Sequence, residues 1–369
     1  MSEFAGPVRN SVPVRLDWVD TAKGFCMILV VLMHVVAGFE VSLERTNWID
    51  PFIDWAKLFR MPGFFLLSGL FVSRLVERDW PEFLDRKIAP FVYFYLLWLA
   101  INCVLKFPTW GDGDIGTLLG AYALGLVQPF GILWFIYLLA VFFAVTKLIR
   151  YHPLATWLAA AALALVPVET GWLLVDRFAE YYVFFLSGAL FASKIFAMAD
   201  WVRSNRGAAL LFWLAWVAVT AFLTSLGGYA AIYETPGAAL ILGHAGALGI
   251  ITLSVFLAGR VGWLDYCGRN SLPIYLAFFI PMALTRVLLI KSGLSFDAGE
   301  VSLLLTVVCV IVPLAVHKLL AGTPLAFLFE RPRAFRIAPR RAASERAVAS
   351  GRETVSAGVS AGVNAPAGR

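Results

Sequence analysis

The chain has 369 residues, 60% hydrophobic and only 15% charged, with a mean hydropathy of +0.80. A soluble protein of this size cannot hide so much apolar surface, so the composition is that of an all-α, polytopic integral membrane protein. The net charge of +6 resides in residues 331–369, where eight arginines face two glutamates; this excludes a basic nucleic-acid-binding domain and points to a tail beside an anionic membrane surface.

A membrane span needs roughly 17–25 apolar residues. The first run, 21–39, carries Lys23 and His34. Ionisable groups are expensive in hydrocarbon and usually have a task or a partner there. Eleven residues is close to three helical turns, so the two share one face, about 16 Å apart along the axis, and that face lines a cavity rather than lipid. The run is long, carries these two groups and lacks a small-residue cleavage site after it, so no cleavable signal peptide is expected. The run 52–75 follows with Arg60 and the pair Ser68-Gly69, then 88–106. The stretch 116–127 is apolar but broken by glycine and reads as interfacial or re-entrant. Runs 130–149, 154–168 (short), 178–196 with Ser187-Gly188, 207–226, 238–258 with His244, 271–291 and 300–320 complete about ten transmembrane helices. Small residues within the spans predict close helix contacts.

The expected organisation is a cytoplasmic N-terminal segment 1–14, a transmembrane domain 15–330 and a basic tail 331–369, disordered beyond about residue 337. Cys26, Cys103, Cys267 and Cys309 are scattered over apolar segments without CxxC or Cys/His spacing, so inert thiols and no metal site are expected. No serine-hydrolase elbow, zinc-protease, P-loop or dinucleotide fingerprint occurs.

Placing the N-terminus in the cytoplasm puts twenty-two Lys and Arg on inside segments and five (Arg45, Lys106, Arg177, Arg286, Lys291) outside, loop by loop. The positive-inside rule therefore predicts both termini cytoplasmic. On that orientation Lys23 sits near the cytoplasmic end of the first helix, and His34, Arg60 and His244 fall at similar depth, about 7–12 Å below the outer surface. Three polar groups at one level suggest a shared polar cavity. Each has a plainer alternative: His34 bonded to a carbonyl, Arg60 paired with Asp54, His244 packing between Gly243 and Gly246, Lys23 reaching back to the interface. A histidine is the natural general base for an alcohol.

The motifs Leu16-Asp17, Asp20 and Lys23-x10-His34, Arg60-Met-Pro-Gly-Phe-Phe-Leu-Leu-Ser-Gly69, Asp85-Arg86-Lys87-Ile-Ala-Pro90 and Leu133-Trp134-Phe135-Ile-Tyr137 occur in order. They are followed by Tyr182-Val-Phe-Phe-Leu-Ser-Gly188, Gly268-Arg-Asn-Ser271-Leu-Pro-Ile-Tyr275 and Phe329-Glu330-Arg-Pro332. Together they resemble the membrane-bound acyltransferase-3 family, whose members acylate sugars and glycans at bacterial envelopes. The resemblance implies a ten-helix bundle, transfer of an acyl group, usually acetyl, from cytoplasmic acyl-coenzyme A as co-substrate, and no permanently bound cofactor. It implies that the histidine matching His34 is the catalytic base. The chain departs from the family pattern at Lys23, where arginine is commoner, at Phe278, where many members have histidine, and in having no fused esterase-like domain.

Within that resemblance His34, Lys23 and Arg60 are assigned to catalysis. Arg86, Lys87 and Arg269 meet the coenzyme A phosphates. Asp20, Trp134, Tyr137 and His244 are assigned to substrate binding, with Asp20 holding the Lys23 ammonium. Arg60 orients an anionic group on the acceptor or stabilises the oxyanion. The expected partners are membrane lipid and an envelope glycan or glycolipid acceptor, with no nucleic acid and with a homo-oligomer left open. The expected location is the bacterial inner membrane. Two other readings stay open: a transporter or flippase on the same scaffold without acyl transfer, and a sensor or scaffold acting through its basic tail.

Overall fold

The computed structural model of the chain describes residues 16–43, 47–110, 114–166, 168–235, 237–292 and 297–337. The expected N-terminal segment 1–14, and the tail beyond residue 337 for which disorder was expected, lie outside the described residues. The described residues fold as helices: α1 (Asp17–Leu43), α2 (Asp50–Lys57), α3 (Arg60–Gly69), α4 (Ser73–Val76) and α5 (Trp80–Phe83) open the chain. A π-helical turn (Leu84–Ile88) leads into α6 (Ala89–Trp110) and α7 (Ile115–Val127), then α8 (Trp134–Leu148), α9 (Pro153–Leu163) and α10 (Leu173–Leu190). The remainder is α11 (Ala192–Ser204), α12 (Arg206–Glu234), α13 (Ala238–Leu257), α14 (Gly262–Arg269), α15 (Ser271–Ala277), α16 (Phe279–Lys291) and α17 (Ala298–Leu320).

Six stretches among these are long and apolar enough to cross a membrane, and eight if the bent pairs α10/α11 (73°) and α15/α16 (44°) each count as one. The expected count of about ten is not reached by length and composition among the described residues. The run 52–75 is divided into α2, of 8 residues, and α3, of 10. The run 154–168 supplies only the 11-residue α9. Proline explains two of the interruptions. Pro62 and Pro281 have no N–H to offer the carbonyls four residues back, at Leu58 and Ala277, and the helices restart at Arg60 and Phe279. The 116–127 stretch is helical as α7, started by Asp114, whose carboxylate accepts from the Thr117 amide at 3.1 Å. It is joined to α8 through Gly131, whose φ of 63° suits glycine.

α1 is the axis of the structure, packed against α3, α13, α14, α15 and α17. Its approach to α14 is at backbone distance: a Cβ on Gly24 would collide with the Leu264 carbonyl, and one on Gly268 with the Asp20 carbonyl. Thr21 Oγ1 donates to Asp265 Oδ1 at 2.5 Å across the same contact. A second close crossing joins α3 to α10, where Gly69 faces the Phe185 carbonyl and Gly188 the Leu66 carbonyl. The two Ser-Gly pairs of the sequence are thus the two halves of one helix crossing, stabilised by dispersion at short range. Phe65 fills the layer beside it, its ring centroid 4.8 Å from Phe135, 5.1 Å from Phe142 and 5.1 Å from Tyr181. On the periphery, Leu211 and Phe222 of α12 and Leu304 of α17 are 70%, 62% and 69% exposed, an apolar skin that suits lipid.

The chain after α17 returns to the bundle. Trp98 Nε1 donates to the Leu328 carbonyl and the Tyr93 hydroxyl to that of Phe327, both at 2.9 Å. Arg331 then pairs with Asp85 at 2.8 Å, and the Ile337 amide donates to the same carboxylate at 2.7 Å. Two of the sequence motifs, 246 residues apart, are thereby one ion pair.

Candidate active site

A cavity of about 390 Å³ opens beside α1. α1 contributes Met27, Val30, Met33 and His34, a stripe at helical spacing that begins one turn beyond Lys23. Arg60 enters from the first turn of α3, Lys57 from the end of α2, and Trp134 and Phe135 from the start of α8. Arg177 and Tyr181 come from α10, Tyr229 from α12 and Tyr275 from α15. The Tyr275 hydroxyl donates to the Ile132 carbonyl, which ties α15 to the turn before α8.

His34 and Arg60 therefore face one space. Among the described residues the His34 ring nitrogens have no hydrogen-bond partner, and the ring rests against Phe278 with centroids 5.4 Å apart. Arg60 is 6% exposed, and its Nε and Nη1 have no hydrogen-bond partner among the described residues. Asp54, the partner that the sequence offered, instead binds Lys57 at 2.6 Å. Arg177 is held by Glu180 at 2.5 Å, with its guanidinium 5.9 Å from the centre of the Trp134 ring. Trp134 in turn stacks on Tyr181, with centroids 5.9 Å apart and planes at 25°.

Three residues assigned to substrate binding, His244, Tyr137 and Asp20, lie outside this lining. His244 is outside the cavity lining: Nε2 meets Ser187 Oγ at 2.8 Å and Nδ1 the Leu240 carbonyl at 2.8 Å, with the ring against Phe184. Both nitrogens are engaged between α13 and α10, so His244 does not share the cavity expected for it. Tyr137 is also absent from the lining; its hydroxyl donates to the Leu126 carbonyl at 3.2 Å and its ring packs on Tyr95.

Asp20 and Lys23 stand in the first two turns of α1, with Lys87 in electrostatic range of Lys23 and the end of α14 against Asp20. Lys87 lies within electrostatic range of Lys23 and over the Phe143 ring, 5.0 Å from its centroid. Arg86 is exposed and pairs with Glu82 at 3.0 Å. Arg269 is exposed at the end of α14, next to Gly268, which meets the Asp20 carbonyl. α1 thus connects two regions: Lys23 with Lys87 in range near its start, and His34 farther along it, facing Arg60 of α3.

Sequence reasoning missed Lys57, Arg177, Tyr181, Tyr229 and Tyr275 as cavity residues. Arg177 was assigned to a loop because the apolar run starts at 178, whereas α10 begins at Leu173. The available signal was the Arg177/Glu180 spacing, an i,i+3 ion pair characteristic of a helix already under way.

The family model described as an acyltransferase domain, acyltransferase-3, matches residues 16–318. The inner membrane protein YcfT of Escherichia coli is 24% identical over 356 residues, covering 85% of this chain and 96% of that protein. The nodulation protein NolL of Sinorhizobium fredii is 26% identical over 260 residues, covering 66% and 69%. NolL of Mesorhizobium japonicum is 24% identical over 183 residues, covering 48% of each chain. No solved structure matches. The ordered motifs, the apolar helices and the family match over nearly all of the helical region have one reading: the chain is a multi-pass membrane protein belonging to the acyltransferase-3 family, and is an acyltransferase.

Proposed function

We propose that the protein transfers an acyl group, acetyl in the first instance, from cytoplasmic acyl-coenzyme A to a hydroxyl of an envelope carbohydrate or glycolipid, in a bacterial inner membrane with both termini cytoplasmic. The observation that carries this reading is that His34 lines the same cavity as Arg60, whose Nε and Nη1 have no hydrogen-bond partner among the described residues. A neutral imidazole with a free nitrogen is what deprotonation of an alcohol requires. The acceptor oxygen then attacks the thioester carbon, the carbon–sulfur bond breaks, and the proton held by His34 passes to the departing thiolate. Arg86, Lys87 and Arg269, with Lys23, supply positive charge for the coenzyme A phosphates near the start of α1. The separation of about 16 Å between Lys23 and His34 suits a long, thin pantetheine arm running along α1.

The test is comparison of envelope glycans and lipids by mass spectrometry from cells with the gene, without it, and with His34→Ala. The expected result is a base-labile ester that vanishes in the last two while the variant still inserts and accumulates. An ester that persists in His34→Ala overturns the assignment of the base.

A further inference from the structure

The charges around the cavity do not balance, and the imbalance is at one residue. Of its three cationic side chains, Lys57 is matched by Asp54 and Arg177 by Glu180. Among the described residues Arg60 has no such partner. The acidic groups within electrostatic range of its charge are the Tyr181 and Tyr229 hydroxyls and the Cys26 thiol, with no carboxylate among the described residues. A guanidinium this buried is costly to hold uncompensated, and an arginine keeps its proton rather than relieve the cost. A transient oxyanion does not offset that cost in the resting enzyme or the substrate complex, because it exists only during the reaction. A permanent anion on the bound substrate does.

The surroundings specify more. Arg177, Trp134 and Tyr181 form a stacked wall of guanidinium, indole and phenol. Such a wall suits the flat face of a sugar ring. His34 lines the same cavity. A ligand that satisfies every part of the lining carries a sugar-like body, a hydroxyl for His34 and a fixed negative charge for Arg60, all within one cavity of about 390 Å³.

We infer that the acceptor is an acidic carbohydrate: a sugar bearing a phosphate or carboxylate on the same or the adjoining residue as the acylated hydroxyl, with that anion held by Arg60. This inference rests on the acyl-transfer reading above but adds a charge requirement to it. The requirement is independent of whether the donor is acetyl-coenzyme A.

The experiment uses the purified full-length chain in lipid nanodiscs, as wild type, Arg60→Gln and Arg60→Lys, each first shown to be monodisperse and folded by its melting transition. Binding is read by thermal shift with glucose, glucose 1-phosphate and glucuronate as probes. Acetyl transfer is read with acetyl-coenzyme A and the same three acceptors. The wild type is expected to be stabilised by the two anionic probes and not by glucose, and to favour anionic over neutral acceptors by about tenfold or more in kcat/KM. Arg60→Gln is expected to bring that ratio towards one, and Arg60→Lys to restore part of it. The phosphate and carboxylate arms tell which anion the fork prefers. Equal stabilisation by glucose, or equal loss by Arg60→Gln on anionic and neutral acceptors alike, overturns the inference. The second outcome is the signature of an oxyanion donor. Anion-specific binding that depends on Arg60, without acetyl transfer to any probe, leaves the inference standing and counts against the acyl donor or reaction proposed above.

Discussion

The imidazole of His34 on α1 lies against the phenyl ring of Phe278, with centroids 5.4 Å apart and planes inclined by 36°. Phe278 is fully buried at the 44° break between α15 and α16. The bend that follows from Pro281 therefore places a rigid apolar ring beside the histidine, while Tyr275, one turn earlier, reaches the cavity itself. The ring fixes the imidazole by contact alone, since it offers no hydrogen bond.

Phe278→Leu tests that contact. Leucine fills part of the space but gives up the flat face, so His34 is free to rotate away from the acceptor. The expected result is a fall in kcat of up to about 100-fold, the scale of a small misplacement of a reacting group. The KM for the acyl donor should change little, because Lys23 and Lys87 lie towards the start of α1. Steady-state kinetics with varied acyl-coenzyme A check the split, and a rise in KM without loss of kcat would count against it.

What the sequence made legible was position along a helix axis. The rise per residue placed His34 and Arg60 at comparable depth, and they do face one cavity. The direction in which a side chain leaves its helix was not legible. His244 was expected at the same depth, but its side chain meets Ser187, where Gly243 and Gly246 let Phe184, Pro62 and Phe59 against its helix. The break before α3 had a visible sign in Pro62, yet continuous hydropathy over 52–75 concealed it. The pairing of Asp85 with Arg331 had no local signal at all, since only the tertiary return of the chain joins them.

That ion pair fastens the segment after α17 to the π-helical turn that also carries Arg86 and Lys87. Both side chains are mostly buried, at 12% and 15% exposure. A double-mutant cycle with Arg331→Ala and Asp85→Ala is expected to give a coupling of order 1 kcal/mol. Either single variant should expose residues 324–337 to protease, and hydrogen exchange at the Ile337 amide, a donor to Asp85, should rise. Unchanged exchange there would show that Trp98 and Tyr93 suffice to hold the segment.

Asp297 provides a pH-dependent element outside the spans. Its carboxylate caps α17, accepting from the amides of Gly299 and Glu300 and from the Trp48 indole, each at 2.9 Å. The Glu300 amide foremost, then the indole and the Gly299 amide, hold its pKa below the ordinary 3.8. Because the folded value is depressed, the cap contributes fully above pH 3.8 and is lost as pH falls through the lower value. Trp48 emission in the purified protein should therefore be flat at neutral pH and change only in strong acid. Asp297→Asn, which has no proton to gain there, should abolish that transition.

The sharpest structural prediction concerns α1 and α14. A Cβ on Gly268 meets the Asp20 carbonyl, which belongs to helix backbone and cannot rotate aside. Ordinary overpacking costs about 1–3 kcal/mol because side chains yield. Here the two helices must separate, so Gly268→Ala is expected to exceed that range and to lower the yield of folded protein. Gly262→Ala, on the same helix with open space around it, is the matched control and should melt like the wild type. Separating the helices also moves Arg269 away from Asp20 and Lys23. Any Gly268→Ala protein that does fold should therefore bind acyl-coenzyme A more weakly, while retaining its response to the anionic sugars in the cavity beside α1.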